Sequence, residues 1–146
     1  MKRLLFTLAT CCVMCACEQK TEMNPFFTEF QTEYGAPDFT KIRLEHYEPA
    51  FLKGIEEQNA EIKAIVDNPE EPTFENTIVA LDKSGGILAR VSGVFFALTE
   101  ADTNDSLTAL NEKMAPVLSE HSDNIYLNQD LYKRVADVHQ QERKVR

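Results

Sequence analysis

The spacing of apolar residues constrains the fold of this chain more than any other feature. From about His46 to Asp67 the apolar positions recur every three or four residues, which is the period of an amphipathic helix. Three later segments keep this period, and their apolar positions are Phe74, Ile78, Leu81, Leu88, Val91 and Phe95, then Leu107, Leu110, Met114, Val117, Leu118, His121 and Ile125, then Leu131, Val135 and Val138. No segment shows the period-two pattern of β-branched residues that is typical of strands. The sequence therefore predicts an all-α fold of helical hairpins or a helical bundle.

Local signals indicate where these helices begin and bend. Thr73 is a good N-cap for the second helix, and the polar run around Asn104 offers caps for the third. Gly85 and Gly86 fall inside the second apolar pattern, where we expect a bend or a close helix contact. Pro116 lies inside the third pattern and is expected to interrupt and kink that helix.

The first residues have the pattern of an export signal. Lys2 and Arg3 precede a nearly continuous apolar run from Leu4 to Ala16, and a polar stretch follows it. This run is shorter than the roughly 20 apolar residues that a membrane-spanning helix needs. Residues 1–16 are therefore predicted to be a signal peptide.

All four cysteines lie inside or beside that segment. Residues 14–17 (MCAC) resemble a bacterial lipobox, in which the cysteine after a small residue is acylated and becomes the new N-terminus. Lipidation is therefore predicted at Cys17, with ordinary signal cleavage or lipidation at Cys11 as alternatives. Cys12 and Cys15 also have the spacing of a zinc knuckle, but small hydrophobic residues of the signal peptide are the preferred interpretation.

The charge of the chain excludes one class of partner. Its formal net charge is −9, so it lacks the basic footprint of a nucleic-acid-binding protein. A basic patch cannot attach such a chain to anionic lipid, and attachment would come from acyl chains at Cys17. We expect the protein in the cell envelope, lipid-anchored on the periplasmic or outer-membrane side.

Nine short motifs follow one another between Asn24 and about Gln141. They are Asn24-Pro25, residues 34–39 (YGAPDF), 45–51 (EHYEPAF), 72–78 (PTFENTI), 81–85 (LDKSG), 90–96 (RVSGVFF), 101–104 (ADTN), 115–116 (AP) and 121–128 (HSDNIYLN). In this order they resemble the N-terminal region of the thimet-oligopeptidase family of zinc metallopeptidases, in its peptidyl-dipeptidase Dcp branch.

The resemblance implies a helical peptidase of several hundred residues, in which two helical halves flank a deep channel for short peptides. It places residues 34–146, after a lead-in of residues 17–33, in the non-catalytic half that shapes this channel. The family's catalytic zinc motif is His-Glu-x-x-His, and none of this chain's three histidines begins one. No catalytic, cofactor-binding or metal-binding residue is therefore predicted here, and zinc is expected only in the full-length family member. We expect a truncated fragment that is not catalytic alone; the alternative is a self-standing helical lipoprotein that acts as a binding or interaction module.

Several polar residues have simpler explanations than a site. His139 and Glu142 could share one helix face, but a metal site usually needs three or four protein ligands, so a solvated polar face is preferred. His121 is predicted to be a hydrogen-bonded structural histidine and His46 to help cap the first helix. The acidic residues interpreted as a solvated face are Glu56, Glu57 and Glu61.

The aromatic residues are interpreted mainly as core. A set that could line a peptide groove, but that is more typical of helical packing, is Phe26, Phe27, Phe95 and Phe96. A fragment would also leave bare the apolar surface that later helices cover in a parent enzyme. The faces expected to be exposed are those of Phe95, Phe96 and Leu98, and of Leu131, Val135 and Val138.

Overall fold

The computed structural model describes residues 23–145, which form helices joined by short connections, with no strand among them. The elements are two 3₁₀ turns (Pro25–Phe27 and Glu33–Gly35), α1 (Leu44–Val66), a π-helical segment (Phe74–Val79) that continues into α2 (Ala80–Lys83), α3 (Gly86–Ala101), α4 (Asp105–Tyr126) and α5 (Gln129–Val145). The predicted all-α fold is confirmed. The predicted signal peptide and Cys17 lie outside the described residues.

Helix α1 is the centre of the unit and contacts every other α-helix. Its first turn is capped by His46, whose Nδ1 accepts a hydrogen bond from the Arg43 backbone N–H at 3.1 Å. The capping role predicted for His46 is therefore confirmed. Asn104 is the N-cap residue of α4, and its side-chain oxygen accepts hydrogen bonds from the N–H groups of Ser106 and Leu107 in the first turn.

An aromatic cluster joins the lead-in to α1 and α3. The rings of Phe26 and Tyr47 are 5.2 Å apart, and Phe95 lies 5.3 Å from both Tyr47 and Phe51. These four residues are buried, so core packing is confirmed for Phe26 and Phe95. It is wrong for Phe27 and Phe96, which are 37% and 40% exposed. The lead-in is fixed further by the Arg90 side chain, which donates to the Phe26 carbonyl at 2.8 Å.

A buried glycine brings α1 and α3 into close contact. A Cβ atom on Gly54 would lie 2.7 Å from the backbone nitrogen of Leu88 and 2.9 Å from its Cα. Both atoms belong to the backbone of α3 and cannot move aside as a flexible side chain can. The two helices therefore require a residue without a side chain at position 54.

The second apolar pattern forms two helices instead of one. Helix α2 ends at Lys83, Gly85 adopts a left-handed conformation with φ of 76°, and α3 begins at Gly86. The bend expected at this pair of glycines is thus confirmed as a complete break. As the first apolar position of this pattern, Phe74 is predicted to lie on the buried face; this is wrong, since 52% of its surface is exposed. In the wide π-helical turn, Thr77 lies on the inner face instead of Phe74.

Two other expectations are corrected. Helix α4 runs without interruption through Pro116, whose ring lies on the exposed side of the helix. Phe95, Leu131 and Val138, which we expected to be bare in a fragment, are at most 4% exposed because they pack in the interior. Leu131 in particular packs with Ile62 and Ile65 of α1 in a second core cluster. Across residues 23–145, no helix combines the length and the apolar character that crossing a membrane requires.

Candidate functional site

A groove of about 470 Å³ lies where α1, the start of α3, the end of α4 and the start of α5 converge. It is lined by Gln58, Leu81, Ser84, Leu88, Leu118, His121, Ser122, Ile125, Tyr126, Asn128, Leu131, Tyr132 and Val135. None of these side chains is an aspartate, glutamate, lysine or arginine. We call it the uncharged groove.

A chain of hydrogen bonds forms the polar part of this groove. The Ser84 hydroxyl donates to the Leu81 carbonyl at 2.8 Å and accepts from the Gln58 side-chain amide at 3.2 Å. The other end of that amide, Oε1 of Gln58, lies 2.7 Å from Nε2 of His121. Because an amide oxygen can only accept, Nε2 of His121 carries the proton. His121 is 6% exposed, so the predicted structural, hydrogen-bonded histidine is confirmed.

The same region holds the break before α3 in place. The backbone N–H of Gly85 donates to the Glu61 carboxylate at 2.7 Å, and the Gln58 side chain covers the space that a Cβ on Gly85 would enter. An acidic group at the start of a helix also interacts favourably with the positive end of the helix dipole and so stabilises the helix. The interpretation of Glu61 as merely solvated therefore missed its contact with the first turn of α3.

Burial lowers the pKa of His121, because the charged imidazolium is disfavoured away from water. The unfolded chain, with a histidine pKa near 6.5, therefore binds the proton more readily than the folded one. The contribution of this residue to stability is present above about pH 6.5 and is lost as the pH falls from there towards the lower pKa of the folded state.

We expect His121→Gln to remove this part of the pH dependence. Glutamine retains an amide donor for Gln58 but does not titrate. Urea unfolding at pH 7 and pH 5 should show a smaller loss of stability in the variant than in the wild type. His139→Gln, at an exposed position on α5, is the control and should lose as much stability as the wild type. If His121→Gln and the wild type lost equal stability between pH 7 and pH 5, the contribution of His121 to the pH dependence would be contradicted.

Three other surface grooves all contain charged side chains. The first lies between α1 and α4, where Lys113 and Glu48 form an ion pair at 2.6 Å. The second includes Glu61 and Lys83, and the third includes Glu29 and Arg90. The uncharged groove therefore differs from them in composition as well as in position.

The described residues do not fit a zinc site. Within 23–145 there is no group of three or more histidine, cysteine, aspartate or glutamate residues that could hold a metal ion. His46 and His121 are engaged with Arg43 and Gln58. The Glu142 side chain, the partner considered for His139, lies outside the described side chains.

Comparison with known proteins points to peptidases. The chain is 48% identical over 120 residues to dipeptidyl carboxypeptidase of Escherichia coli (strain K12), a match that covers 82% of this chain and 18% of that protein. It is 46% identical over 118 residues to dipeptidyl carboxypeptidase of Salmonella typhimurium, covering 81% and 17%. It is 28% identical over 115 residues to oligopeptidase A of Escherichia coli, covering 79% and 16%. No protein-family model matches the chain.

These relatives are peptidases, and they confirm the resemblance found in the motifs. The chain belongs to the thimet-oligopeptidase family, in its Dcp branch, and corresponds to the N-terminal region of that family. It spans less than a fifth of the length of the curated relatives that it matches.

Proposed function

We propose that this chain supplies the N-terminal helical segment of a zinc-dependent peptidyl-dipeptidase and forms one wall of the channel that admits short peptides. The observation that carries the proposal is the 48% identity to a dipeptidyl carboxypeptidase over 82% of the chain. The role of such a segment is to bound the channel and limit the size of the substrate. Zinc, which would activate the attacking water, would be held by residues other than those described here.

A chimera tests this proposal. The matched segment of the Escherichia coli dipeptidyl carboxypeptidase is replaced by the corresponding residues of this chain. We expect the chimera to release dipeptides from short peptides in a chelator-sensitive reaction, because the grafted segment packs and shapes the channel as the original does. The present chain alone should release none.

The control for this experiment is the same relative with the segment deleted, which should be inactive. A chimera that folds cooperatively but releases no dipeptide would overturn the proposal. That result would favour the alternative, a self-standing helical lipoprotein that acts as a binding or interaction module. Chelator-sensitive cleavage by the isolated chain would contradict its role as a non-catalytic segment.

We also propose that the protein is exported and anchored in the cell envelope by acylation of Cys17. The support is the apolar run that ends in the lipobox-like residues 14–17. Acyl chains contribute about 0.8 kcal/mol per buried methylene, and stable anchoring takes more than one such chain. Cys17→Ser should abolish palmitate labelling and release the protein from membranes, whereas the control Cys11→Ser should keep both. Labelling that persists in Cys17→Ser would disprove the assignment.

A further inference from the structure

We infer that the uncharged groove is the surface on which the rest of the peptidase packs, with the apolar face of a helix from that peptidase as its occupant. This inference rests on the proposed function, since it names the partner of this segment and the face that meets it.

The composition of the groove is the first observation. Charged residues make up 27% of the chain, yet none lines this groove. Protein interfaces are depleted of charged residues at their buried centre and enriched in aromatic ones, tyrosine among them. Each of the other three grooves contains acidic and basic side chains. An uncharged, apolar occupant suits this groove and no other of the four.

The rim of the groove is the second observation. Tyr126, Leu127 and Tyr132 are 82%, 71% and 68% exposed. Tyr126 is the last residue of α4, Leu127 follows it, and Tyr132 lies in the first turn of α5; Tyr126 and Tyr132 line the groove. Exposed apolar surface that is contiguous with a groove marks an interaction site more often than single exposed residues do. Tyrosine suits such a rim because its ring packs while its hydroxyl stays hydrogen-bonded.

The length of the relatives identifies the occupant. The match to Escherichia coli dipeptidyl carboxypeptidase leaves more than four fifths of that protein's length outside the aligned segment. A groove bounded by helices receives the apolar face of another helix through side chains spaced three, four and seven residues apart. The family resemblance implies that the remaining polypeptide of such a peptidase is helical, so it is the partner to which the inference commits.

The chimera described above also tests the groove. Leu127→Asp and Tyr132→Asp change exposed residues, so in the isolated chain their melting temperatures should match the wild type. In the chimera each should lower the melting temperature by at least about 5 °C, because a carboxylate is then buried without a partner. The matched control is Leu52→Asp, which changes an exposed leucine of α1 that lines a charged groove and should have little effect in either protein.

A labelling measurement keeps the inference testable if a variant is poorly folded. Tyr132→Cys should react with a maleimide at least about tenfold more slowly in the chimera than in the isolated chain, because the site is covered in the chimera. Site-resolved mass spectrometry separates this thiol from the other cysteines.

The possible outcomes separate the two proposals. An active chimera in which the groove variants behave like Leu52→Asp, and in which residue 132 labels at the isolated rate, overturns the groove inference but leaves the proposed function standing. A folded but inactive chimera overturns the proposed function itself. The labelling rate of residue 132 in the isolated chain could also fall as the concentration of that chain rises. This result would identify a second copy of the chain as the occupant and overturn the inference.

Discussion

Gly54→Ala should lower the free energy of unfolding by about 2–3 kcal/mol, although alanine is normally the better helix residue. The added Cβ would lie 2.7 Å from the Leu88 backbone nitrogen, so α1 and α3 must separate to admit it. Overpacking of this kind typically costs about 1–3 kcal/mol, and here the obstructing atoms are backbone. Urea unfolding followed by circular dichroism measures the change.

A second glycine provides the control. Gly93 lies within α3, and a Cβ there would meet nothing within 4 Å. Gly93→Ala should therefore raise the free energy of unfolding by about 0.5–1 kcal/mol, the usual gain for alanine over glycine inside a helix. If Gly54→Ala were neutral or stabilising, as Gly93→Ala should be, the close approach of α1 and α3 would be wrong.

Arg134→Met should also lower the free energy of unfolding by about 2–3 kcal/mol. This arginine of α5 is 9% exposed, and its guanidinium donates to the carbonyls of Asn68 and Glu70 at 2.8 and 3.3 Å. Hydrogen bonds from a charged group contribute about 1.5–3 kcal/mol each. A third, longer hydrogen bond of 3.4 Å runs from the guanidinium to Oδ1 of Asn76. The net effect stays below the sum of these bonds because Nε of Arg134 is buried without a partner, and methionine removes that unfavourable burial.

A substitution of the neighbouring Lys133 tests whether the effect comes only from the loss of a positive charge on α5. Lys133 is exposed and pairs with Asp137 at 3.0 Å. Lys133→Met should change stability by no more than about 0.5 kcal/mol, since an exposed ion pair one helical turn apart contributes little. Equal effects of Lys133→Met and Arg134→Met in the same unfolding experiment would contradict the role assigned to the buried guanidinium.

The elements that could be predicted are those that depend on local sequence. The three- and four-residue period was sufficient for α1, α4 and α5. The cap at Thr73 could be predicted because the hydroxyl accepts from an N–H only three residues away. Exposure of Phe74 could not be predicted, because it follows from a π-helical turn that no period of 3.6 describes. The complete break before α3 could not be predicted, because it involves the hydrogen bond from the Gly85 N–H to Glu61. Glu61 is 24 residues away in the sequence, so no local pattern indicates this contact.

The uncharged groove was not predicted for a related reason. Its lining comes from α1, α2, the connection at Ser84, α3, α4 and α5, and periodicity assigns residues to a face without saying which faces meet. One weak signal existed. Gln58 occupies a step of the apolar period of α1, where a polar residue calls for a hydrogen-bonding partner. The partners, His121 and Ser84, become evident only when the helices are assembled.

The contact of Arg134 with the connection after α1 has a consequence for synthesis. Its hydrogen bond to Asn68 joins residues 66 positions apart. At roughly 5–20 residues per second, the ribosome needs about 3–13 s to add that much chain. During this interval the carbonyls of Asn68 and Glu70 must remain solvated, although α1 is already complete. The connection after α1 therefore acquires these hydrogen bonds only after the last helix has been synthesised.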